Sequence, residues 1–218
     1  MSIKKISLSV IFFMLTLVGL NAQQHLDPEY IKVTNNRASK IADKLELSDP
    51  VTTQAVTQLI GQQYRDLSMY HDARDAKVDA LKKSDLSKEK QTKKIEKLKN
   101  KTDKKINKLH QVYLKNLAKY LNTDKIDAVK DGMTYGVVPK TYFAFQDMLP
   151  NLTEAQKDYI HSNLIEAREH AMDAGSSKEK HAWFGKYKGR INNYLSKAGY
   201  DLNKESEDWH KRIEARKN

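Results

Sequence analysis

The stretch IEKLKNKTDKKINKLHQVYLKNLAKY, residues 95–120, decides the fold of this chain. Its apolar and small residues recur at intervals of three or four positions. This spacing places them along one side of an α-helix, as in the seam of a coiled coil. The sequence therefore predicts a long helix that packs lengthwise against another helix. The predicted seam consists of Ile95, Leu98, Thr102, Ile106, Leu109, Tyr113, Leu117 and Tyr120.

A second long helical pattern precedes this stretch. Ser48-Asp49-Pro50 is a helix start, because Asp caps a helix and Pro fits its first turn. The helix is expected to extend to about Lys83, and Ser84-Asp85-Leu86-Ser87 is the break before the next pattern. Two long helices joined by a short turn pack antiparallel, so residues 48–121 predict a hairpin about 50 Å long. Its first buried stripe is expected at Val51, Ala55, Val56, Leu59, Ile60, Leu67 and Tyr70.

The composition favours helices and excludes several classes of protein. The 218 residues include 8 Gly, 4 Pro and no Cys. So few turn formers argue against a β-sandwich or barrel, which needs a turn every 8–12 residues. Without cysteine, the chain has no disulfide framework, thiol nucleophile or cysteine-based zinc site. The predicted fold class is all-α, a helical bundle with a long basic two-helix arm.

The first 22 residues have the pattern of a secretory signal peptide. Lys4 and Lys5 precede an apolar run from Ile6 to Leu20, and Ala22 is a small residue at the expected cleavage site. The run covers about 22 Å, less than the roughly 30 Å of a membrane core, although an uncleaved anchor remains the alternative. We expect a periplasmic or secreted protein of a Gram-negative bacterium, without a membrane span after cleavage. The predicted domains are residues 1–22, 23–121 and 122–218.

Residues 122–218 predict shorter helices around an aromatic core. Asn122-Thr123-Asp124 caps a helix ending at Asp131-Gly132, and residues 133–139 are expected to be extended or irregular. Thr153 to Gln156 and Ser176 to Glu179 each resemble a capping box, in which two side chains satisfy reciprocal backbone groups. These boxes are expected to open helices that end at Gly175 and Gly199. A last helix is expected to start at Asn203.

Most of the positive charge lies in one segment. Between Lys82 and Lys119 there are 14 Lys against Asp85, Glu89, Glu96 and Asp103, a net charge of +10, and the rest of the chain after Ala22 sums to −1. The lysines are expected to be spread around the helix outside the seam. They form either a cationic rod that attracts polyanions or an ordinary solvated face.

The type of polyanion follows from the residues that accompany the lysines. No aromatic residue lies between Leu81 and Val112, and no Arg lies in the basic segment. Binding of single-stranded nucleic acid usually uses aromatic stacking and phosphate-binding Arg. We therefore expect no nucleic-acid partner. Glycans that carry uronates, lipopolysaccharide phosphates and anionic membrane surfaces are the better candidates.

One group of residues could hold a metal. Glu166, His170 and Asp173 lie on one stripe of the predicted helix, and the turn at Gly175 could bring His181 close to His170. Two imidazoles and a carboxylate suit Zn²⁺ or another divalent cation, and also a proton-transfer pair. The alternative is a set of exposed polar residues. The chain otherwise implies no cofactor.

The block GSSKEKHAWFGKYKGRINNYL, Gly175 to Leu195, has the most unusual composition. Gly185 and Gly189 each destabilise a helix interior by about 1 kcal/mol relative to Ala. Either a neighbouring helix packs closely across them, or they line a groove where a sugar ring stacks and cations meet carboxylates. The core face is expected at Trp183, Tyr187, Ile191, Tyr194, Leu195 and Ala198. The predicted ligand-binding residues are His181, Trp183, Lys186, Tyr187, Lys188, Arg190 and Asn193.

This block and the residues up to Leu202 resemble the hallmark of a secreted bacterial family catalogued as a domain of unknown function. The similarity covers most of residues 30–215, including VVPKTYFAFQDMLPNLTEAQK at 137–157. The resemblance implies genes encoded beside pectin-degrading enzymes. It implies no catalytic residues. A second resemblance is to periplasmic chaperones of the Spy and CpxP type, whose LTxxQ motif matches Leu152 to Gln156.

These observations predict a non-catalytic binding or accessory protein for acidic polysaccharide or another polyanion. One alternative is a chaperone that binds unfolded client proteins along its basic hairpin. Another is a metal-dependent enzyme acting on polysaccharide through the residues around His170. No phosphate-binding glycine loop, GxSxG elbow or HExxH helix is present to favour a particular reaction.

Overall fold

A computed structural model describes residues 27–216. Within this range the chain forms eight α-helices, one short 3₁₀ helix and no strand, which confirms the all-α prediction. The predicted signal, residues 1–22, lies outside the described residues. The helices are α1 Pro28–Ala42, α2 Pro50–Lys82, α3 Lys88–Leu117, α4 Thr123–Met133, α5 Val137–Met148, α6 Glu154–Met172, α7 Ser177–Lys197 and α8 Leu202–Ala215, and the 3₁₀ helix is Asp43–Leu45.

The chain divides into two compact units. Unit 1 ends at Ile126 and unit 2 begins at Asp127, so that α4 crosses the division. The sequence placed the boundary slightly earlier, between residues 121 and 122. Unit 1 therefore contains α1, α2 and α3, and unit 2 contains α5 to α8.

Side-chain caps fix the helix starts of unit 1. The Asp27 carboxylate accepts a hydrogen bond of 2.9 Å from the Glu29 backbone N–H, and Pro28 occupies the first helical position. The Asp49 carboxylate accepts bonds from the backbone N–H groups of Val51 and Thr52, at 3.1 and 2.9 Å. These bonds satisfy backbone donors that have no partner inside the helix. The predicted start at Asp49-Pro50 is confirmed.

The hairpin of unit 1 is formed by α2 and α3, which pack against each other. The Gln91 side chain holds the turn, since its Nε2 donates to the carbonyl oxygens of Ser84 and Leu86 at 3.0 and 3.1 Å. For two of the predicted seam residues, the expectation that they are buried is wrong. Val51 is 74% exposed and Tyr120 is 47% exposed, because both lie at the ends of the paired helices. The seam residues that are buried are Val56, Ile60 and Leu67 on α2, and Thr102, Ile106, Tyr113 and Leu117 on α3.

The core of unit 2 lies among α5, α6 and α7 and is rich in aromatic residues. Tyr187, Ile191 and Leu195 are buried there as predicted. Trp183 and Tyr194 are half-buried, and Ala198 is exposed at the end of α7. Phe184, which the sequence pattern missed, is also buried.

The expected irregular segment at residues 133–139 is confirmed only for residues 134–136, because the preceding helix includes Met133 and α5 already starts at Val137. Tyr135 and Gly136 have φ of +62° and +64°, and these two left-handed residues complete the reversal from α4 to α5. Pro139 lies within the first turn of α5, where its missing N–H is not needed. A proline that looked like the end of an irregular segment therefore belongs to a helix start.

The caps of α6 and α7 differ from each other. Thr153 and Gln156 form the predicted capping box, with bonds of 3.3 and 2.9 Å in the two directions. At α7, Ser176 Oγ accepts a bond from the Glu179 backbone, but the Glu179 carboxylate accepts from Gly175, one residue earlier than in a capping box. The two helices end at Met172 and Lys197, slightly before the predicted glycines.

Candidate functional site

The two units carry different charges. Residues 27–126 contain 22 Lys and Arg against 14 Asp and Glu, a net charge of +8. Residues 127–218 contain 15 Lys and Arg against 14 Asp and Glu, a net charge of +1. The excess positive potential therefore originates in unit 1.

All 14 lysines between residues 82 and 119 are exposed to solvent. Two of them form ion pairs, Lys82 with Asp79 at 3.7 Å and Lys93 with Glu89 at 2.7 Å, and each partner lies on the same helix. In the described residues 27–216, none of the other twelve forms an ion pair. The predicted cationic surface is present. Its lysines are Lys82, Lys83, Lys88, Lys90, Lys93, Lys94, Lys97, Lys99, Lys101, Lys104, Lys105, Lys108, Lys115 and Lys119.

Half of these lysines lie on one line of α3, and the other half lie elsewhere on the hairpin. The positions on this line alternate by four and three residues, whereas the seam residues recur at intervals of 3, 4, 4, 3, 4, 4 and 3. The offset of two residues from Ile106 to Lys104 or Lys108 corresponds to about 200° around the helix, so this line lies on the side of α3 opposite the seam. We call it the lysine row. It consists of Lys90, Lys94, Lys97, Lys101, Lys104, Lys108 and Lys115, with Gln111 between the last two.

The acidic residues of α3 lie to one side of the lysine row. Glu89, Glu96 and Asp103 are seven residues apart, so that they follow a single line along the helix. Among these three, Glu89 forms the ion pair with Lys93, which is not in the row. In the described part of the chain, no lysine of the row forms an ion pair. Positive charge is thus concentrated on the row rather than alternated with negative charge.

A group of stacked side chains lies between α6 and α7 in unit 2, and we call it the stacked cluster. The His170 ring stacks on the Trp183 ring with centroids 4.3 Å apart. On the other side of the group, the Arg190 guanidinium lies 4.4 Å from the Tyr187 ring centroid. The Lys186 Nζ lies 4.9 Å from the Trp183 centroid. The cluster consists of Glu166, His170, Trp183, Lys186, Tyr187 and Arg190.

Hydrogen bonds and ion pairs satisfy the polar groups of the stacked cluster internally. The Tyr187 hydroxyl donates a bond of 2.6 Å to Glu166 Oε1, and Arg190 contacts Glu166 Oε2 at 3.4 Å. Burial raises the pKa of the Tyr187 hydroxyl, and the bond to Glu166 raises it further. Tyr187 therefore remains protonated as a donor. The cations of this cluster already have partners within the protein.

The predicted ligand-binding residues are divided between two sides of α7. Trp183, Lys186, Tyr187 and Arg190 belong to the stacked cluster. His181 instead stacks on Tyr135, with ring centroids 5.6 Å apart and planes at 15°. Lys188 and Asn193 are exposed residues outside the cluster.

The glycines of α7 do not mediate helix packing. Gly185 and Gly189 are exposed, and a Cβ atom built on either one would meet no atom within 4 Å. The alternative of a neighbouring helix packed across them is therefore wrong for the described residues. In the described chain, no neighbouring element uses these two glycines to approach α7 closely.

The four predicted metal ligands are not grouped in the structure. Glu166 binds Tyr187 and Arg190, while His170 stacks on Trp183 and His181 stacks on Tyr135. Asp173 caps the C-terminal end of α6. Among residues 27–216, no three His, Asp or Glu side chains lie close enough together to hold a metal ion.

The sequence analysis missed a buried charge network in unit 2. The Arg168 side chain is 3% exposed and contacts Asp127 at 2.6 Å and Asp131 at 2.9 Å. Lys130 binds Glu169 at 3.0 Å beside them. The spacing of the two aspartates, i and i+4 on α4, was the available signal, because it aims both carboxylates to one side. This network holds α4 against α6.

Unit 1 also has an open groove of about 520 Å³ between α1 and α2. Its lining includes Asn35, Ser39, Asp43, Thr53 and Gln54 and contains no Lys, Arg or aromatic residue. Such a lining can hydrogen-bond a neutral polar group but offers nothing to neutralise an anion. The groove is therefore separate in its chemistry from the lysine row.

Together these features define an all-α protein with a basic hairpin in one unit and an aromatic core in the other. Of the described helices, none combines the length and apolar character needed to cross a membrane. A family model described as "Protein of unknown function (DUF3826)" matches residues 31–215, and the chain belongs to this family. No curated protein matches the chain. The predicted family of unknown function is confirmed, whereas its secretion and the similarity to LTxxQ chaperones stay predictions.

Proposed function

We propose that this protein is exported and binds acidic polysaccharide without catalysing a reaction. The observation that carries the proposal is the lysine row, a line of exposed cations on α3 without carboxylate partners. Concentrated charge of one sign raises the local concentration of a polyanion and speeds its association. A cation that is not paired within the protein is available to a ligand.

The residues around the row favour a carboxylate polymer over a nucleic acid. Lys is a compact, hydrated point charge, while Arg supplies the planar fork that suits phosphate. Neither Arg nor an aromatic residue lies among the lysines of α3 before Tyr113, which is itself buried in the seam. A base would therefore find no ring to stack on, whereas isolated carboxylates need only opposite charge.

The stacked cluster of unit 2 supports the fold more than it supports binding. Arg190 is paired with Glu166, and Lys186 lies over Trp183. A polyanion would have to displace these partners before it could bind here. The proposal therefore assigns the binding surface to α3 of unit 1.

The direct test is a titration of the protein, without its first 22 residues, by calorimetry. Polygalacturonate is compared with a neutral glucan at about 20 mM and about 200 mM NaCl, since salt screens exposed charges. We expect binding to polygalacturonate alone and a marked loss of affinity at the higher salt. Equal binding of both polymers, or no binding of either, overturns the proposal.

Export has its own test. A bacterium that expresses the full chain is fractionated, and the N-terminus of the protein is determined by mass spectrometry. We expect a chain that begins at Gln23 in the periplasm or the medium, because Ala22 precedes the expected cleavage site. An intact Met1 in the cytoplasm contradicts the export part of the proposal and leaves the binding part standing.

A further inference from the structure

We infer that the lysine row binds one linear polyuronate chain that lies parallel to the axis of α3. This inference rests on the proposed function and adds the geometry of binding to it. The proposed function requires only positive charge on the hairpin. The inference requires that the positions of the lysines, and not their number alone, determine affinity.

The spacing of the row fits an extended polymer. Successive lysines are three or four residues apart, which corresponds to about 5 Å along a helix axis. From Lys90 to Lys108 the row is uninterrupted and covers roughly 27 Å with six lysines. Each interval is comparable to the length of one sugar unit. A polyuronate carries one carboxylate on every unit, so that one carboxylate can meet each lysine in turn.

The row stays accessible along its whole length. Thr102, Ile106 and Tyr113 of the seam are buried, whereas every lysine of the row is exposed. At about 100° per residue, every lysine of the row lies about 120–180° around α3 from Ile106, so the row does not enter the interface with α2. A straight ligand can therefore follow it from end to end.

The row is unfavourable for the isolated helix. Lys90, Lys94, Lys97, Lys101, Lys104 and Lys108 make five successive like-charge neighbours at i, i+3 or i, i+4. Such neighbours repel each other and destabilise a helix. Solubility alone would be served equally well by lysines alternated with the acids at Glu89, Glu96 and Asp103. Because the lysines are instead separated from these acids, the repulsion between neighbouring lysines is not relieved within α3. A bound polyanion would relieve it.

Other polyanions fit the row less well. The phosphates of duplex DNA wind around its axis, so that only a few of them could meet a straight line of lysines at once. A compact polyvalent anion would contact two or three lysines and gain nothing from the remainder. The linear polyuronate is the ligand that uses all six.

The first experiment measures affinity against the length of the ligand at low salt. Galacturonate oligomers of two to twelve units are titrated into the protein. We expect the affinity to rise steeply with each unit up to about six, the number of lysines in the uninterrupted row, and slowly afterwards. An affinity that is independent of length from three units onward overturns the inference, because it would indicate a local site.

The second experiment compares two triple variants with the same loss of charge. One replaces lysines of the row, K97Q/K101Q/K104Q, and the other replaces exposed lysines outside it, K83Q/K99Q/K119Q. We expect the first to lower the affinity for polygalacturonate by about tenfold or more and the second by less than about threefold. Circular dichroism must show equal helicity in both variants, since Gln is also a good helix former.

The outcomes separate the inference from the proposed function. If the two variants lose the same affinity for polygalacturonate, the lysine row is not the line along which the polymer binds. The proposed function, binding driven by net positive charge, would still stand. An absence of polygalacturonate binding in the parent protein overturns the proposed function itself, and the inference with it. Inorganic polyphosphate serves as a competing probe. Binding of polyphosphate that depends on the row, without binding of polygalacturonate, overturns the assignment of a uronate ligand.

Discussion

Arg168 shows how a single buried residue organises unit 2. Its guanidinium contacts Asp127, Asp131 and, at 3.5 Å, Glu169. Burial lowers the pKa of Arg168, but the hydrogen bond and charge of Asp131, together with the charges of Asp127 and Glu169, hold it above its ordinary value. The cation is therefore permanent. Asp131 is paired with it, while Asp127 and Glu169 are also paired with Lys130.

The first prediction concerns this cation. Arg168→Met removes the charge and keeps much of the volume, leaving Asp131 without its partner and Asp127 with only Lys130, at 3.8 Å. We expect the free energy of unfolding of unit 2 to fall by about 2–3 kcal/mol, less than for a fully buried pair because Asp127 is 45% exposed. Urea unfolding followed by tryptophan fluorescence measures it, since both tryptophans of the chain, Trp183 and Trp209, lie in unit 2.

Arg190→Met is the matched control for Arg168→Met. Arg190 also pairs with a carboxylate, Glu166, but both side chains are about half exposed. An exposed pair contributes less than about 1 kcal/mol to stability. Similar losses in the two variants would show that burial of Arg168 has no particular importance.

The second prediction concerns the exposed glycines of α7. Gly185→Ala and Gly189→Ala should each raise the free energy of unfolding by about 1 kcal/mol, because Ala restricts the unfolded chain and meets no neighbour in the folded one. The same fluorescence experiment measures the gain. Gly136→Ala is the control and should lower stability by about 1 kcal/mol, since φ is +64° there. A loss of stability at position 185 or 189 would reveal a contact of the helix face that these residues need.

At the scale of elements, α8 is attached largely through polar contacts. It has no fully buried residue, although Leu202 packs half-buried against the core. The Asp147 carboxylate at the end of α5 accepts a bond of 2.7 Å from Trp209 Nε1 and two bonds of 2.9 Å from Arg216. Arg212 donates to the Met148 carbonyl oxygen at 2.9 Å. One carboxylate therefore holds much of α8 in place.

The third prediction is that α8 detaches in acid. The hydrogen bonds from Arg216 and then Trp209 lower the pKa of Asp147 below its ordinary value. The stabilisation is thus complete above the pKa of an unfolded Asp and is lost as the pH falls through the lower pKa of the folded state. Hydrogen exchange of residues 202–215, corrected for intrinsic rates, should show falling protection over this acid range. Asp147→Asn should show low protection already at pH 7.

Asp208→Asn provides the control for this experiment. The pKa of Asp208 is also lowered, by Lys204 and then Lys211, but all three residues belong to α8 itself. Its neutralisation should leave the attachment to α5 unchanged. Equal protection of α8 in Asp147→Asn and in the parent protein at neutral pH would contradict the role given to Asp147.

The elements that the sequence predicted well are those fixed by local contacts. Asp49 and Thr153 cap their helices through bonds that reach two or three residues along the chain. Such bonds are visible in a short sequence window. The left-handed pair at Tyr135 and Gly136 escaped prediction because Tyr rarely adopts positive φ.

The parts of the candidate site that could not be predicted depend on how two helices meet. His170 could face either His181 or Trp183 from its position on α6, and packing brings it to Trp183. Arg168 finds carboxylates about 40 positions earlier in the chain. The lysine row, by contrast, was readable from sequence, since it requires only the helical repeat and the position of the seam.

At the scale of the whole molecule, charge is divided between the units of this chain. Residues 27–126 of unit 1 have a net charge of +8, and unit 2 has +1. Ionic strength should therefore act chiefly on unit 1. Because no tryptophan lies in unit 1, fluorescence follows unit 2, whereas far-ultraviolet circular dichroism follows the helices of both.

The fourth prediction is that salt has opposite effects on stability and on binding. Raising NaCl from about 10 to about 200 mM screens the five like-charge neighbours of the lysine row, each worth about 0.2–0.5 kcal/mol, and should stabilise unit 1 by about 1–2 kcal/mol. The same screening weakens the attraction of polygalacturonate. Thermal unfolding by circular dichroism and calorimetric titration measure the two effects, and K97Q/K101Q/K104Q should reduce both. Salt could instead leave the unfolding of unit 1 unchanged while it abolishes binding. In that case the polyanion does not act by relieving repulsion along the row, and the binding needs a different physical origin.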